Sequence, residues 1–288
     1  MRDFVIYADS TCDISEEILK DWGVPYSSLT FRFVGEDKEY NDRDIDTKTF
    51  YDKMRGGAIA KTAAINSQTF LNEFEEIVKE GKDILYMAFS SGLSTTYNSG
   101  RIAAEELSAK YPEAKIKVVD TLSASAGYGL LLSVAVDMKN TGKTLDEIAD
   151  YVENNKLNVC QWFTVDDLVY LKRGGRVSAT AAFVGNVLGI KPVLHVDNEG
   201  HLVNVSKVRG RRTSLVAMAD KYGELALDKK DGRVYISHAD CMNDVEELKK
   251  MLNDRYGAKV EVVADVGTVI GSHSGPGTVA LFFIGKER

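Results

Sequence analysis

Serine, threonine, aspartate and glycine concentrate in four turns, each at the end of an apolar run: Ala8-Asp9-Ser10-Thr11, Phe89 to Tyr97, Val119-Asp120-Thr121-Leu122-Ser123, and Gly271 to Gly277. Such residues either cap helices, by satisfying free N–H groups, or hold an anion between hydroxyls and a helix start. Three of the four close predicted parallel strands at their carboxyl ends, where open α/β sheets bind ligands, and all would open on one side. Ser90-Ser91-Gly92-Leu93-Ser94-Thr95-Thr96-Tyr97 is the most informative, with Ser94 nearest a bound phosphate or carboxylate. Thr62, in a loop between two predicted helices, either reaches the same crevice or faces solvent. His273 stands alone in a Gly/Ser turn, as an anion donor or as a structural side chain.

Other chemistries find less support. GxSxG and GxxxxGK[ST] are absent, and no His or Asp lies at a spacing that implies a triad, although triads need not show in sequence. Arg173-Gly174-Gly175-Arg176 is too short to be a nucleotide loop. The cysteines Cys12, Cys160 and Cys241 are scattered, and the four histidines never fall at i, i+4, so neither a disulfide framework nor a metal site is expected. Lys207-Val208-Arg209-Gly210-Arg211-Arg212 is basic against an acidic chain, as a solvated face or as a docking patch for an acidic or phosphorylated partner.

Lys and Arg number 36 against 43 Asp and Glu, a net charge of −7 that argues against a nucleic-acid binder relying on positive charge. No apolar run approaches the length of about 18 residues that a membrane span requires. Ala126 to Val136, the most apolar stretch, reads as a buried helix, and the run Phe4 to Tyr7 reads as too short for a signal peptide, so none is expected. A cytoplasmic protein without stable membrane insertion is expected.

The elements that must position these turns alternate. Phe4 to Ala8, Ile84 to Phe89 and Ile116 to Val119 read as buried strands. Helices are expected after Asp13 (as cap, with Gly23 as stop), between Asn66 and Gly81, from Thr95 to Tyr111, after the strand that ends at Asp120 as far as Thr141, and after the Thr144/Glu147 capping box. This predicts an α/β fold with an N-terminal parallel-sheet, three-layer domain over residues 1–156. Residues 157–288 read as a second α/β domain with a mixed sheet and helices on one face. Its strands are Val159–Val165, Val193–Val196, Leu202–Val205, Val234–Ser237, Lys259–Ala264 and Val279–Ile284, with a hairpin turn at Asp197-Asn198-Glu199-Gly200.

Taken in order, six segments resemble motifs of the DegV family of bacterial fatty-acid-binding proteins across nearly the whole chain. They are Asp9-Ser10-Thr11-Cys12-Asp13, Ser90 to Tyr97, Val119-Asp120-Thr121, Tyr170-Leu171-Lys172-Arg173-Gly174-Gly175-Arg176, Ile190-Lys191-Pro192-Val193-Leu194 and Ile270 to Gly277. The resemblance implies a two-domain protein that holds one long-chain fatty acid between its domains. It implies a carboxylate held by Thr62 and Ser94, with His273 in reach, and Ser91, Thr95 and Ser274 as further head-group candidates. An aliphatic wall, or plain core, is expected from Phe183, Val184, Val187, Leu188 and Ile190. The chain departs from the family in Ala63-Ala64, where the motif carries Ser-Gln, and in Thr95, where it carries Gly. Related members are acyl-binding subunits of a fatty-acid kinase, which implies a carrier without catalysis or cofactor of its own. Arg173, Arg176, Arg209 and Arg211 are then candidate contacts to the kinase partner. The alternative is a serine-dependent acyl or phosphoryl transferase that uses Ser90 to Ser94.

Overall fold

The computed structural model describes residues 2–177 and 189–288. Thirteen strands among these residues form three sheets. The first is parallel, in the order β2 (Tyr26–Ser27), β1 (Phe4–Asp9), β6 (Asp83–Ala88) and β7 (Ile116–Asp120). The second is antiparallel, in the order β4 (Glu39–Asn41), β3 (Thr30–Phe33) and β5 (Ala60–Ala63). The third is mixed, in the order β10 (Leu202–Arg209), β9 (Ile190–Val196), β8 (Val159–Thr164), β13 (Val279–Ile284), β11 (Val234–His238) and β12 (Val262–Asp265). All its pairings are antiparallel except β11 with β12. The fold is thus of the α/β class, with a parallel sheet in the N-terminal part and a mixed sheet in the C-terminal part.

The helices are α1 (Glu16–Asp21), α2 (Thr47–Arg55), α3 (Ser67–Lys79), α4 (Thr96–Lys110), α5 (Ser125–Asn140), α6 (Leu145–Asn155), α7 (Val169–Arg173), α8 (Arg211–Leu225), α9 (Met242–Tyr256) and α10 (Thr268–Ser274). Amphipathic α3 buries Phe70 and Phe74 with Tyr86 of β6, which covers one face of the parallel sheet. Helix α5 is different, for eleven of its sixteen residues are buried. A helix apolar on all sides needs cover on all sides. It finds that cover between the parallel sheet and the mixed sheet, where Leu130 and Leu132 share one core with Met87 and Phe282. Close approach explains its glycines: a Cβ on Gly127 would lie 2.6 Å from the Phe282 ring. The mixed sheet is therefore covered on both faces, α8 and α9 packing on the other side through Leu215, Tyr222 and Leu248. This corrects the expectation of helices on one face only.

Three further corrections concern local structure. Asp13 does not cap α1: it adopts a left-handed backbone with φ 52°, and Ser15 instead accepts from the Ile18 N–H. Buried Asp13 carries longer-range bonds, accepting from the Gly267 N–H at 3.1 Å and from the Ser125 hydroxyl. Thr62 lies on strand β5 rather than in a loop, paired with Phe31. The stretch from Gly271 is the C-terminal half of α10 rather than a turn, and Gly275 ends it with φ +79°.

Candidate functional site

A cavity of about 970 Å³ opens where β5, the β6–α4 loop, α10 and the inner face of the mixed sheet meet. That size is at the upper end of ordinary small-molecule sites, which run to about 1,000 Å³. Its lining is largely apolar. Phe163 on β8 with Ala280 and Phe282 on β13 form one wall, and Leu29, Val269 and Ile270 face it. Thr62, Ser91, Ser94, Thr95, His273 and Ser274 all border the same space. Six candidate head-group residues from three separate chain segments thus meet in one cavity.

Local structure sets each of them. β5 turns Thr62 toward α10, where its Oγ1 lies 2.8 Å from His273 Nε2. The imidazole packs so closely on Gly174 that a Cβ there would fall 2.1 Å from Nδ1. His273 Nδ1 is buried and has no hydrogen-bond partner among the described residues, and the same holds for Ser274 Oγ. In the β6–α4 loop the Ser94 hydroxyl lies 2.9 Å from Thr96 Oγ1 and accepts from the Thr96 N–H at 3.2 Å. The loop is braced from below by two carboxylates, fully buried Asp9 and partly buried Asp120. Asp9 Oδ2 accepts from the Tyr86 hydroxyl at 2.8 Å and the Phe89 N–H at 3.0 Å, and Asp120 Oδ1 accepts from the Ser91 N–H at 3.2 Å. The first of the four turns is therefore a support beneath the site; Asp9, Ser10 and Thr11 are fully buried and do not border the cavity.

Arg176 also borders the cavity. Its Nε and Nη2 donate to the Leu93 carbonyl at 3.1 and 3.0 Å, and Nη1 donates to the Gly174 carbonyl at 2.7 Å. No carboxylate pairs with it among the described residues, so a half-buried positive charge faces the space beside Ser94 and His273. Burial pushes the Arg176 guanidinium below its usual range. Burial, reinforced by the Arg176 charge, lowers the His273 imidazole to about 4, so it is neutral near pH 7. An uncompensated cation, hydroxyls and a neutral imidazole at one end of an apolar cavity suit an anionic head on an apolar body. Arg176 as a cavity residue is what the sequence reading missed, because a Gly-Gly-Arg string does not say which way its side chain turns.

The other arginines lie elsewhere. Arg173 is exposed over the Tyr170 ring, and Arg209 is exposed at the end of β10. Arg211 is mostly enclosed, 3.0 Å from Asp244 and donating to the Gly277 carbonyl at 2.5 Å. Ile190 starts β9 opposite Arg209 and does not border the cavity. Phe183, Val184, Val187 and Leu188 lie outside the described residues. Among the described residues no group of three His, Cys, Asp or Glu side chains could hold a metal ion, and no helix is long and apolar enough to cross a membrane.

Comparison with known proteins agrees across the whole chain. A family profile described as "Uncharacterised protein, DegV family" matches residues 3–286. A DegV domain-containing protein of Clostridium perfringens is 44% identical over 291 residues, covering 100% of this chain and 99% of that one. A DegV lipid-binding protein of Thermotoga maritima has a solved structure that superposes with a TM-score of 0.87 at 30% identity, covering 99% of both chains. A stearic-acid-binding protein of Eubacterium ventriosum superposes with a TM-score of 0.88 at 25% identity over 98% of both chains.

Proposed function

Because the chain belongs to the DegV family, we propose that it binds one long-chain fatty acid, carboxylate at the Thr62–Ser94–His273 end of the cavity and acyl chain along Phe163 and Phe282. The observation that carries this reading is the Arg176 guanidinium, which faces an apolar cavity without a carboxylate partner among the described residues. A fatty-acid carboxylate is the missing anion. It would accept from the Thr62 and Ser94 hydroxyls, with Ser91, Thr95 and Ser274 as further donors. The similar Eubacterium ventriosum protein is described as binding stearic acid. Burial of a chain of about 16 carbons contributes on the order of 12 kcal/mol, from which lost motional freedom and head-group desolvation subtract a large part.

The division of labour follows the chain. Residues 1–156 supply Thr62 and the Ser94 loop; residues 157–288 supply Arg176, His273 and the apolar wall, and close over the acyl chain. The protein works as a carrier in lipid transport or fatty-acid metabolism, without cofactor or catalysis of its own, and presents the carboxylate to a partner kinase. Exposed Arg173 and Arg209 are the candidate contacts to that partner. The serine-transferase reading is less favoured because the loop serines hydrogen-bond elsewhere among the described residues: Ser94 lies against Thr96 and Ser90 donates to the Gly200 carbonyl, while His273 Nε2 is engaged by Thr62. Mass spectrometry of the purified protein, native and then denatured with extraction, tests the proposal. A stoichiometric long-chain acid released only on denaturation is the expected result. A protein that carries no lipid and refuses added palmitate overturns it.

A further inference from the structure

The β6–α4 loop is held from two sides by the C-terminal part of the chain. Arg176 grips the Leu93 carbonyl. On the other side the Ser90 hydroxyl, fully buried, donates to the Gly200 carbonyl at 2.9 Å and accepts from the Gly92 N–H at 3.2 Å. Ser90 has therefore no proton left to donate to an anionic ligand, although it opens the loop that carries the hydroxyl cluster. The two segments come close at this point. Gly200 has φ +79°, and a Cβ there would lie 2.1 Å from Ser90 Oγ; a Cβ on Gly92 would lie 2.8 Å from the Glu199 and Gly200 carbonyls. The Arg288 guanidinium fastens the same turn, donating to the Asp197 carbonyl at 3.1 Å and to the Leu122 carbonyl at 2.7 Å. Ser90 in turn sets the loop: its carbonyl accepts from the N–H groups of Leu93 and Ser94, both at 3.1 Å.

We propose that the β9–β10 turn, residues 197–200, is a clamp on the head-group loop, and that Ser90 and Gly200 are positioning residues that act through Ser94. The ligand's identity rests on the fatty-acid reading; the clamp does not. The same contact ties the loaded loop to strand β10, which carries the exposed Lys207 and Arg209. Loss of one hydrogen bond that leaves a buried carbonyl without its donor predicts about tenfold weaker binding.

The test is a double-mutant cycle for palmitate binding to the delipidated full chain, with Ser90→Ala, Ser94→Ala and the pair. A residue that acts through Ser94 gives a non-additive cycle. Each single change weakens binding about tenfold, and the pair is within about twofold of the weaker single variant. An additive loss near a hundredfold, or no effect of Ser90→Ala, overturns the proposal. Amide hydrogen exchange without lipid provides the second arm: Ser90→Ala speeds exchange at residues 92–96 and 199–204, and Gly200→Ala reproduces this from the opposite side. Unchanged exchange at 199–204 overturns the clamp even where wild-type protein takes up no palmitate, an outcome that by itself overturns only the fatty-acid reading.

Discussion

At the scale of single residues the site depends on charge placed where water is scarce. His273 is the clearest case, because burial and the Arg176 charge hold it near 4 against an ordinary value of 6.5. Between those values the unfolded chain binds a proton that the folded chain refuses, so stability rises with pH across this window and falls on acidification. The contribution lost from pH 7 to pH 4 is of order 3 kcal/mol at most. Thermal melts from pH 7 to 4 should therefore show a shallower acid limb for His273→Gln than for the wild type; identical limbs would contradict the assignment. A bound carboxylate beside the ring opposes the Arg176 charge and flattens the wild-type limb in the same way. Thr62→Ala with Ser94→Ala removes both hydroxyls while the β5 pairing and the loop's backbone bonds remain. Retention of fatty acid through purification should be lost at unchanged circular dichroism, and retained lipid would refute the head-group assignment.

At the scale of elements, close packing sets where these side chains point. The α7–Gly174 backbone is the surface against which the imidazole rests, and a Cβ 2.1 Å from Nδ1 leaves no room for both. Gly174→Ala should displace His273 from Thr62 and weaken palmitate binding about tenfold or more, with a smaller change in melting temperature than a core cavity causes. Equal affinity would show that the ring's position is immaterial. Beneath the loop, Asp9→Ala strands the Tyr86 hydroxyl and the Phe89 N–H in the core. The expected cost is about 2–4 kcal/mol by chemical denaturation, larger than for an exposed aspartate. Three of the four strands of the parallel sheet, β1, β6 and β7, and the helices between them were legible because apolar periodicity records burial directly, as in Ile84 to Ala88 and Phe70 to Val78. The edge strand β2, the β3–β4–β5 sheet and α2 were not, since the sequence reading assigns no strand or helix between Gly23 and Asn66. Their short strands owe their stability to an aromatic cluster, Phe31, Phe33, Tyr40 and Phe50, that forms only when distant segments meet.

At the scale of the whole molecule, one apolar helix unites the two larger sheets, and the cavity lies along the junction that α5 creates. Ligand bound there contacts both parts of the chain, so occupancy stabilises the folded state by mass action. Palmitate added to delipidated protein should raise the melting temperature, by an increment that grows with ligand concentration, whereas octanoate, with half the carbons, should raise it far less. A flat response to palmitate would count against a lipid ligand, and equal responses would count against a cavity that recognises chain length.

The amino-acid sequence by itself determined the alternation of strands and helices, the burial of the Ala126 to Val136 helix, and the supply of hydroxyls at strand ends. These are local matters, written in periodicity and in the preference of Ser, Thr, Asp and Gly for turns. Only the tertiary structure decided who meets whom. Thr62 and His273 are 211 positions apart yet share a hydrogen bond. Arg176 turns inward to the cavity while Arg173, three residues earlier, stays outside. Ser90 and Ser94, four residues apart in one loop, differ in that one is consumed by Gly200 and the other borders the cavity. The physical reason is the same in each case: a side chain's direction follows from the packing around it, which is a property of distant segments brought together and of no single stretch of chain.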